Sequence, residues 1–196
     1  MILFGELYFF VCAGLLLIPA LVLGIMEKPI KYYGFFVTIV FILLALWNKP
    51  TEIFYMAGYL IFQFIIITLF LRIRLAKGRT RCWFWTFITL SLAPLVLYKI
   101  AGLFEISILG FMGISYMTFK SLQVIIEIHD GLIKECKPFE FIYFLTFFPA
   151  VLSRPIDRSR RFNEDLALVR PREQYLDLVG AGLFKICQGL KLYIRP

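Results

Sequence analysis

His129 is the single histidine in this 196-residue sequence, and it stands in the run EIHDGLIKE. Histidine is the side chain best suited to take a proton from a hydroxyl near neutral pH. Asp130 follows it directly, but neighbours on a helix point about 100° apart, so this acid is not placed to orient the ring. The polar end of a helix is an ordinary place for an exposed histidine. His129 is therefore read as non-catalytic.

A second constellation is FFPAVLSRPIDRSRRF, residues 147–162, in which an aromatic run meets Pro155 and then Asp157 flanked by Arg158, Arg160 and Arg161. Two readings stand. The arginines hold a phosphate or carboxylate through forked hydrogen bonds, or they anchor the chain on lipid headgroups while Asp157 pairs with one of them. Lys120, inside an apolar stretch, also has two readings. It lines a substrate path, or it snorkels to an interface from a helix that ends nearby. Standard catalytic motifs (HExxH, GxSxG, a phosphate-cradling glycine loop) do not occur. Cys12, Cys82, Cys136 and Cys187 are far apart and form no CxxC pair, so no zinc site or disulfide framework is expected and no metal is assigned. Each is read as a small apolar packing residue.

The elements that must carry these residues follow from composition. Hydrophobic residues make up 61% of the chain, charged residues 17%, and the mean hydropathy is +0.83. A soluble domain of this size has too much surface to hide that much apolar area, whereas lipid solvates it. In lipid the backbone must pair internally, and continuous apolar runs without alternation select helices over a barrel. The net charge of +8 sits between apolar runs, where basic residues set orientation and meet anionic lipid. Nucleic acid is not expected as a partner.

Five spans are expected: Leu7 to Ile25, Tyr32 to Trp47, Ile53 to Leu71, Trp83 to Tyr98 and Ile106 to Ile126. The opening MILFGELY lacks the basic residues of a cleavable signal, so the first run is read as a retained span. RIRLAKGRTR, residues 72–81, is basic with no acid and is placed in the cytoplasm, which puts the N-terminus outside. The fifth span carries Gly110, Gly113, Ser115, Lys120, Ser121 and Gln123, and is expected to face the protein interior. The stretch from Glu127 to Pro138 is read as polar and cytoplasmic. Phe139 to Leu152 is shorter than the ~20 residues a spanning helix needs. If it crossed, the arginine-rich Ser153–Glu173 segment would lie outside, so it is read as re-entrant or half-buried, with a sixth span as the other possibility. Gln174 to Gly189 starts a further apolar segment. The expectation is an all-α polytopic transmembrane bundle forming a single membrane domain over residues 1–196, with about five spans.

GFMGISYMTFKSLQVIIEIHDGLIKE followed by FIYFLTFFPAVLSRPIDRSRRF resembles the D-alanine branch of the membrane-bound O-acyltransferase family. GISYMTFK at 113–120 and PIDRSRRF at 155–162 carry the likeness most specifically, and KYYGFF at 31–36 fits it; the likeness runs to about Gly189. The resemblance implies the amino-terminal part of a larger bundle that moves D-alanine from a thioester toward a hydroxyl across the membrane. The donor would be the phosphopantetheine arm of a D-alanyl carrier protein, with no cofactor bound by this chain itself. Teichoic acid of a Gram-positive envelope would be the eventual acceptor, and a DltD-like membrane-anchored protein would take part. The family's essential histidine is expected downstream of Pro196, and His129 does not match its position. Arg154 stands where the family usually has glycine, and GLKLYIRP departs from the family pattern. A truncated, incomplete acyltransferase fold that does not catalyse alone is therefore expected. The competing readings are a non-catalytic membrane scaffold and a small transporter. A transporter would show paired, broken inverted spans, and none is visible.

Overall fold

The computed structural model describes residues 7–46, 50–103, 113–147 and 158–194, and every element among them is a helix. In chain order these are α1 (Leu7–Ile25), α2 (Lys31–Ala45), α3 (Pro50–Lys77), α4 (Arg81–Leu103), α5 (Ile114–His129), α6 (Pro138–Thr146), α7 (Ser159–Ala167) and α8 (Arg172–Ile194). Pro50 and Pro138 open α3 and α6, where a missing N–H costs nothing. Gly78 and Gly131 close α3 and α5 at φ 74 and φ 78, a left-handed conformation that terminates a helix and that glycine adopts without strain.

The chain divides into two compact units. The first combines Met1–Val37 with Leu166–Pro196. Here α1 packs on α8: Tyr175 donates its hydroxyl to Ala20 O at 3.3 Å, and its ring fills the space left open by the absent side chain of Gly24. Glu27 Oε1 accepts the amide N–H of Arg172 at 2.8 Å, which satisfies the first donor of α8. Pro19 lies inside α1 and deprives the carbonyl of Leu15 of its amide partner. In the turn it weakens, Tyr33 donates its hydroxyl to Leu16 O at 2.7 Å.

The second unit, Thr38–Asp165, is built on α3, α4 and α5, with α6 against α3 and α5. Its core is mainly apolar, with Ile67, Ile125, Ile128 and Leu145 at 0% exposure, yet it also encloses polar side chains and leaves large apolar ones outside. Gln63, Ser91, Thr118 and Ser121 are each 0% exposed, while Phe54, Ile61, Trp85 and Leu97 point outward. Apolar side chains so exposed suit a hydrocarbon solvent and would be an aggregation liability in water. Helices Pro50–Lys77 and Arg81–Ala101 have the length and apolarity to cross a bilayer, whereas Gly14–Ile25 and Lys31–Ala45 are apolar but shorter. Together these features make this a helical membrane protein.

Helix α5 begins at Ile114, and residues 104–112, the start of the expected fifth span, lie outside the described residues. Its burial confirms that this helix faces the interior. Helix α6 has 9 residues. It therefore rises about 14 Å, less than half of a hydrocarbon core of about 30 Å. Its buried Phe141, Tyr143, Phe144 and Leu145 agree with a half-buried element rather than a span, though residues 148–152 are outside the described set. The stretch from Ser153 to Glu173 was read only as a polar, arginine-rich segment. From Ser159 to Ala167 it is a helix, because Phe162 supplies a buried anchor on one face.

Candidate functional site

Among the described residues, the buried lysine, glutamate and histidine of the second unit all stand on helix α5. Lys120 and Glu127 lie almost two turns apart and so share one face. Both are buried, Lys120 at 2% exposure and Glu127 at 6%.

Lys120 Nζ donates to Phe144 O at 2.6 Å. The ammonium also sits 4.4 Å from the ring centre of Phe144 and 4.7 Å from that of Tyr116. Phe144 belongs to the last turn of α6, whose carbonyls have no intrahelical donor. The following residue outside the helix, Phe147, has φ −47 and ψ 105, so α6 does not end in a glycine cap. A cation from α5 takes that role, and a helix C-terminus favours positive charge. The snorkelling reading of Lys120 is thereby corrected: its amine turns inward because a carbonyl and two aromatic faces satisfy it there.

Glu127 stands at the opposite kind of helix end. The backbone N–H of Arg160, in the first turn of α7, and the charges of Arg158 and Arg160 act favourably on its carboxylate, although its Oε2 is buried without a hydrogen-bond partner among the described residues. Burial nevertheless outweighs these contacts and raises its pKa. Gln123 Nε2 approaches Glu127 Oε1 at 3.4 Å. Helix α7 has no acidic residue in its own first turn. An anion there complements the orphan N–H groups and the positive end of the dipole. Glu127 opens the stretch read as polar and cytoplasmic; the structure adds that its carboxylate is buried against protein.

The arginines of PIDRSRRF do not converge on a pocket among the described residues. Arg158, Arg160 and Arg161 are exposed. Arg160 pairs with Glu164 at 3.2 Å along its own helix, with both side chains more than half exposed, an arrangement of little energetic weight. Phe162 between them is buried against Tyr143, Phe144 and Phe147, with ring centres 5.0–5.5 Å apart. Pro155 and Asp157, and Arg154 with them, lie outside the described residues.

His129 is only 7% exposed, which corrects the reading of an ordinary exposed histidine. Its ring lies on Phe84 at 4.2 Å. Its Nε2 accepts from Arg79 Nε at 3.1 Å, and its carbonyl accepts from Arg74 Nε at 3.2 Å. Arg79 Nη2 reaches Asp130 Oδ1 at 3.3 Å. These contacts tie the end of α5 to the basic α3–α4 turn, so the two segments read as cytoplasmic share one end of the bundle. With its accessible nitrogen occupied by a guanidinium, His129 has no lone pair free at Nε2 to serve as a base.

A separate buried network links three helices. Gln63 Nε2 donates to Tyr59 Oη and to Ser91 O, both at 3.0 Å. Ser91 Oγ donates to Gln63 Oε1 at 2.8 Å, and Tyr59 Oη meets Thr118 Oγ1 at 2.8 Å. Beside it an apolar groove of about 370 Å³ opens between α3 and α4, lined by residues that include Gly58, Ala93 and Pro94.

No family model matches the chain. Over 195 residues it is 33% identical to the teichoic acid D-alanyltransferase of Bacillus subtilis (strain 168), a match that takes in 95% of this chain. The chain is a relative of the teichoic acid D-alanyltransferases. That of Streptococcus thermophilus is 34% identical over 190 residues, again across 95% of the chain. That of Lacticaseibacillus rhamnosus is 38% identical over 136 residues, across 67% of the chain. The chain spans about half the length of the first two, 49% and 45%.

Within this D-alanyltransferase relative, the described residues contain no group of three or more histidine, cysteine or acidic side chains able to hold a metal. Cys136 offers no thiolate, because burial first and Glu140 second push its thiol up to about 11. Cys82 is exposed, and the side chains of Cys12 and Cys187 are outside the described set. Sequence reading missed Glu127. Its spacing from Lys120 along a helix expected to face inward was the signal that could have found it.

Proposed function

We propose that this chain is part of a membrane-bound O-acyltransferase that transfers D-alanine from the phosphopantetheine thioester of a D-alanyl carrier protein toward teichoic acid. The observation that carries this reading is the 33–34% identity to teichoic acid D-alanyltransferases along 95% of the chain. The reaction is an acyl transfer. An acceptor hydroxyl oxygen attacks the thioester carbonyl, the C–S bond breaks as an ester forms, and the hydroxyl proton passes through a base to the departing thiolate. His129 is not that base in this reading, since Arg79 occupies its Nε2.

The chain is multi-pass in the cell membrane with its N-terminus outside. The basic 72–81 segment and the end of α5 face the cytoplasm, where the carrier protein delivers its thioester. A DltD-like membrane-anchored protein acts on the acceptor side, and lipid covers the apolar outer faces. The exposed arginines of α7 meet lipid headgroups. A non-catalytic scaffold is the second reading, favoured by the engagement of His129.

Complementation of a D-alanylation-deficient Gram-positive strain tests this. The chain is expressed alone and joined to the remaining length of a relative, and alanine esters released from teichoic acid are measured. Ester with the joined chain supports the acyltransferase reading. Ester with neither, at normal membrane levels of both, favours the scaffold.

A further inference from the structure

Among the described residues, Glu27 is the one non-glycine residue with a positive φ, at 55°. It stops α1 as the left-handed residue just past the helix. Its N–H meets Gly24 O at 3.2 Å, and the N–H of Lys28 meets Leu23 O at 3.0 Å. Pro29 follows directly and bars the helix from continuing. Glycine ends a helix in this way without strain, as Gly78 and Gly131 do after α3 and α5. A glutamate in that place calls for a compensating contact.

The contact lies on α8. Pro171 O accepts the N–H of Tyr175 at 3.0 Å, so Pro171 stands at the cap position of α8, and proline has no side-chain oxygen to cover the first donors. Glu27 Oε1 accepts the Arg172 N–H at 2.8 Å from 145 residues away in sequence. That places a carboxylate at the positive end of the helix. One turn into α8, Tyr175 donates its hydroxyl to Ala20 O at 3.3 Å, and a Cβ on Gly24 would collide with its ring.

We propose that Glu27 is a cap supplied in trans: it holds a strained backbone at the end of α1 and thereby orders the start of α8. With the Gly24 notch that takes Tyr175, it fastens α8 to α1. Residues 24–27 thus end one helix and start another, and the first turn of α8 is conditional on α1. The fastening is independent of the D-alanyl-transfer reading.

Hydrogen exchange of the 196-residue chain in detergent, read by mass spectrometry, tests this. A peptide from the start of α8 reports the fastening, and peptides from α3, in the other compact unit, report opening elsewhere. Glu27→Ala keeps the left-handed strain and removes the acceptor. It is expected to speed exchange at the start of α8 about fivefold, the effect of losing one helix cap. Glu27→Gln keeps an acceptor oxygen and is expected to stay within about twofold of the unmutated chain. Glu27→Gly loses the acceptor and the strain together. It is expected to speed the α8 peptide as Glu27→Ala does, yet to melt at a higher temperature than Glu27→Ala. Gly24→Ala is expected to speed the same peptide, and to add nothing in a chain already carrying Tyr175→Ala, where the notch is empty.

An unchanged α8 peptide in Glu27→Ala overturns the cap. So does an equal rise in the α3 peptides, which would make Glu27 a general support. Glu27→Gly melting no higher than Glu27→Ala overturns the strain, and additive effects of Gly24→Ala and Tyr175→Ala overturn the notch.

Discussion

Arg79 Nε donates to His129 Nε2 at 3.1 Å, so the imidazole carries its proton on Nδ1 and serves as an acceptor. This contact turns the most obvious catalytic candidate into a structural tie between α5 and the α3–α4 turn. Burial lowers the pKa of His129, the positive charges of Arg79 and Arg74 lower it further, and Asp130 opposes them.

The folded state thus binds the imidazole proton less readily than the unfolded chain, whose value is 6.5. The resulting stability is present above 6.5 and is lost as the pH falls through the lower folded value. Because this is the single histidine, ¹H–¹⁵N imidazole resonances report it without ambiguity. The expected result is titration below 6.5 with the proton on Nδ1, and a shift upward in Arg79→Ala. Titration at or above that value would show the contact to be absent.

His129→Gln keeps an acceptor near Arg79 and removes the base. Ester formation by the joined chain is expected to fall by no more than about threefold, or about 0.6 kcal/mol. A loss of a thousandfold or more, with normal membrane levels, would make His129 the base.

Lys120→Met keeps the volume of the side chain but leaves Phe144 O without its donor. An orphaned buried acceptor costs about 1–3 kcal/mol. A clear fall in the apparent melting temperature in detergent is expected. An unchanged melting temperature would return Lys120 to the snorkelling reading.

Gln63→Leu breaks the contacts to Tyr59 and Ser91 together. Interhelical hydrogen bonds between membrane helices contribute about 0.6 kcal/mol on average and up to about 1.7 kcal/mol. Gln63→Leu and Ser91→Ala are expected to be non-additive, with a coupling energy in that range from a double-mutant cycle. Simple additivity would mean the network carries no joint stability.

Glu127 gives the opposite pH signature to His129. Its raised pKa means that the folded state holds the carboxyl proton more tightly than the unfolded chain, whose value is 4.5. Stability from the protonated form is present below 4.5 and is lost as the pH rises through the folded value. Glu127→Gln should flatten this part of the stability profile and match or exceed the wild-type melting temperature at pH 7.5 or so, where the buried charge is removed.

The sequence by itself determined the helical class, the membrane solvent and the positions of most helices. Apolar runs are a local signal, and they located the helices α1 to α4 and the inward face of α5. The motifs GISYMTFK and PIDRSRRF likewise carried the kinship with D-alanyltransferases before any fold was in hand. Tertiary structure alone decided what each ionisable group does. Whether His129 meets solvent or Arg79 depends on a turn 50 residues away, and Lys120 reaches a carbonyl 24 residues on. Charge, unlike hydropathy, has its cost set by the partner that packing supplies. For that reason the burial of Glu127 was not legible from its place at the start of a polar stretch.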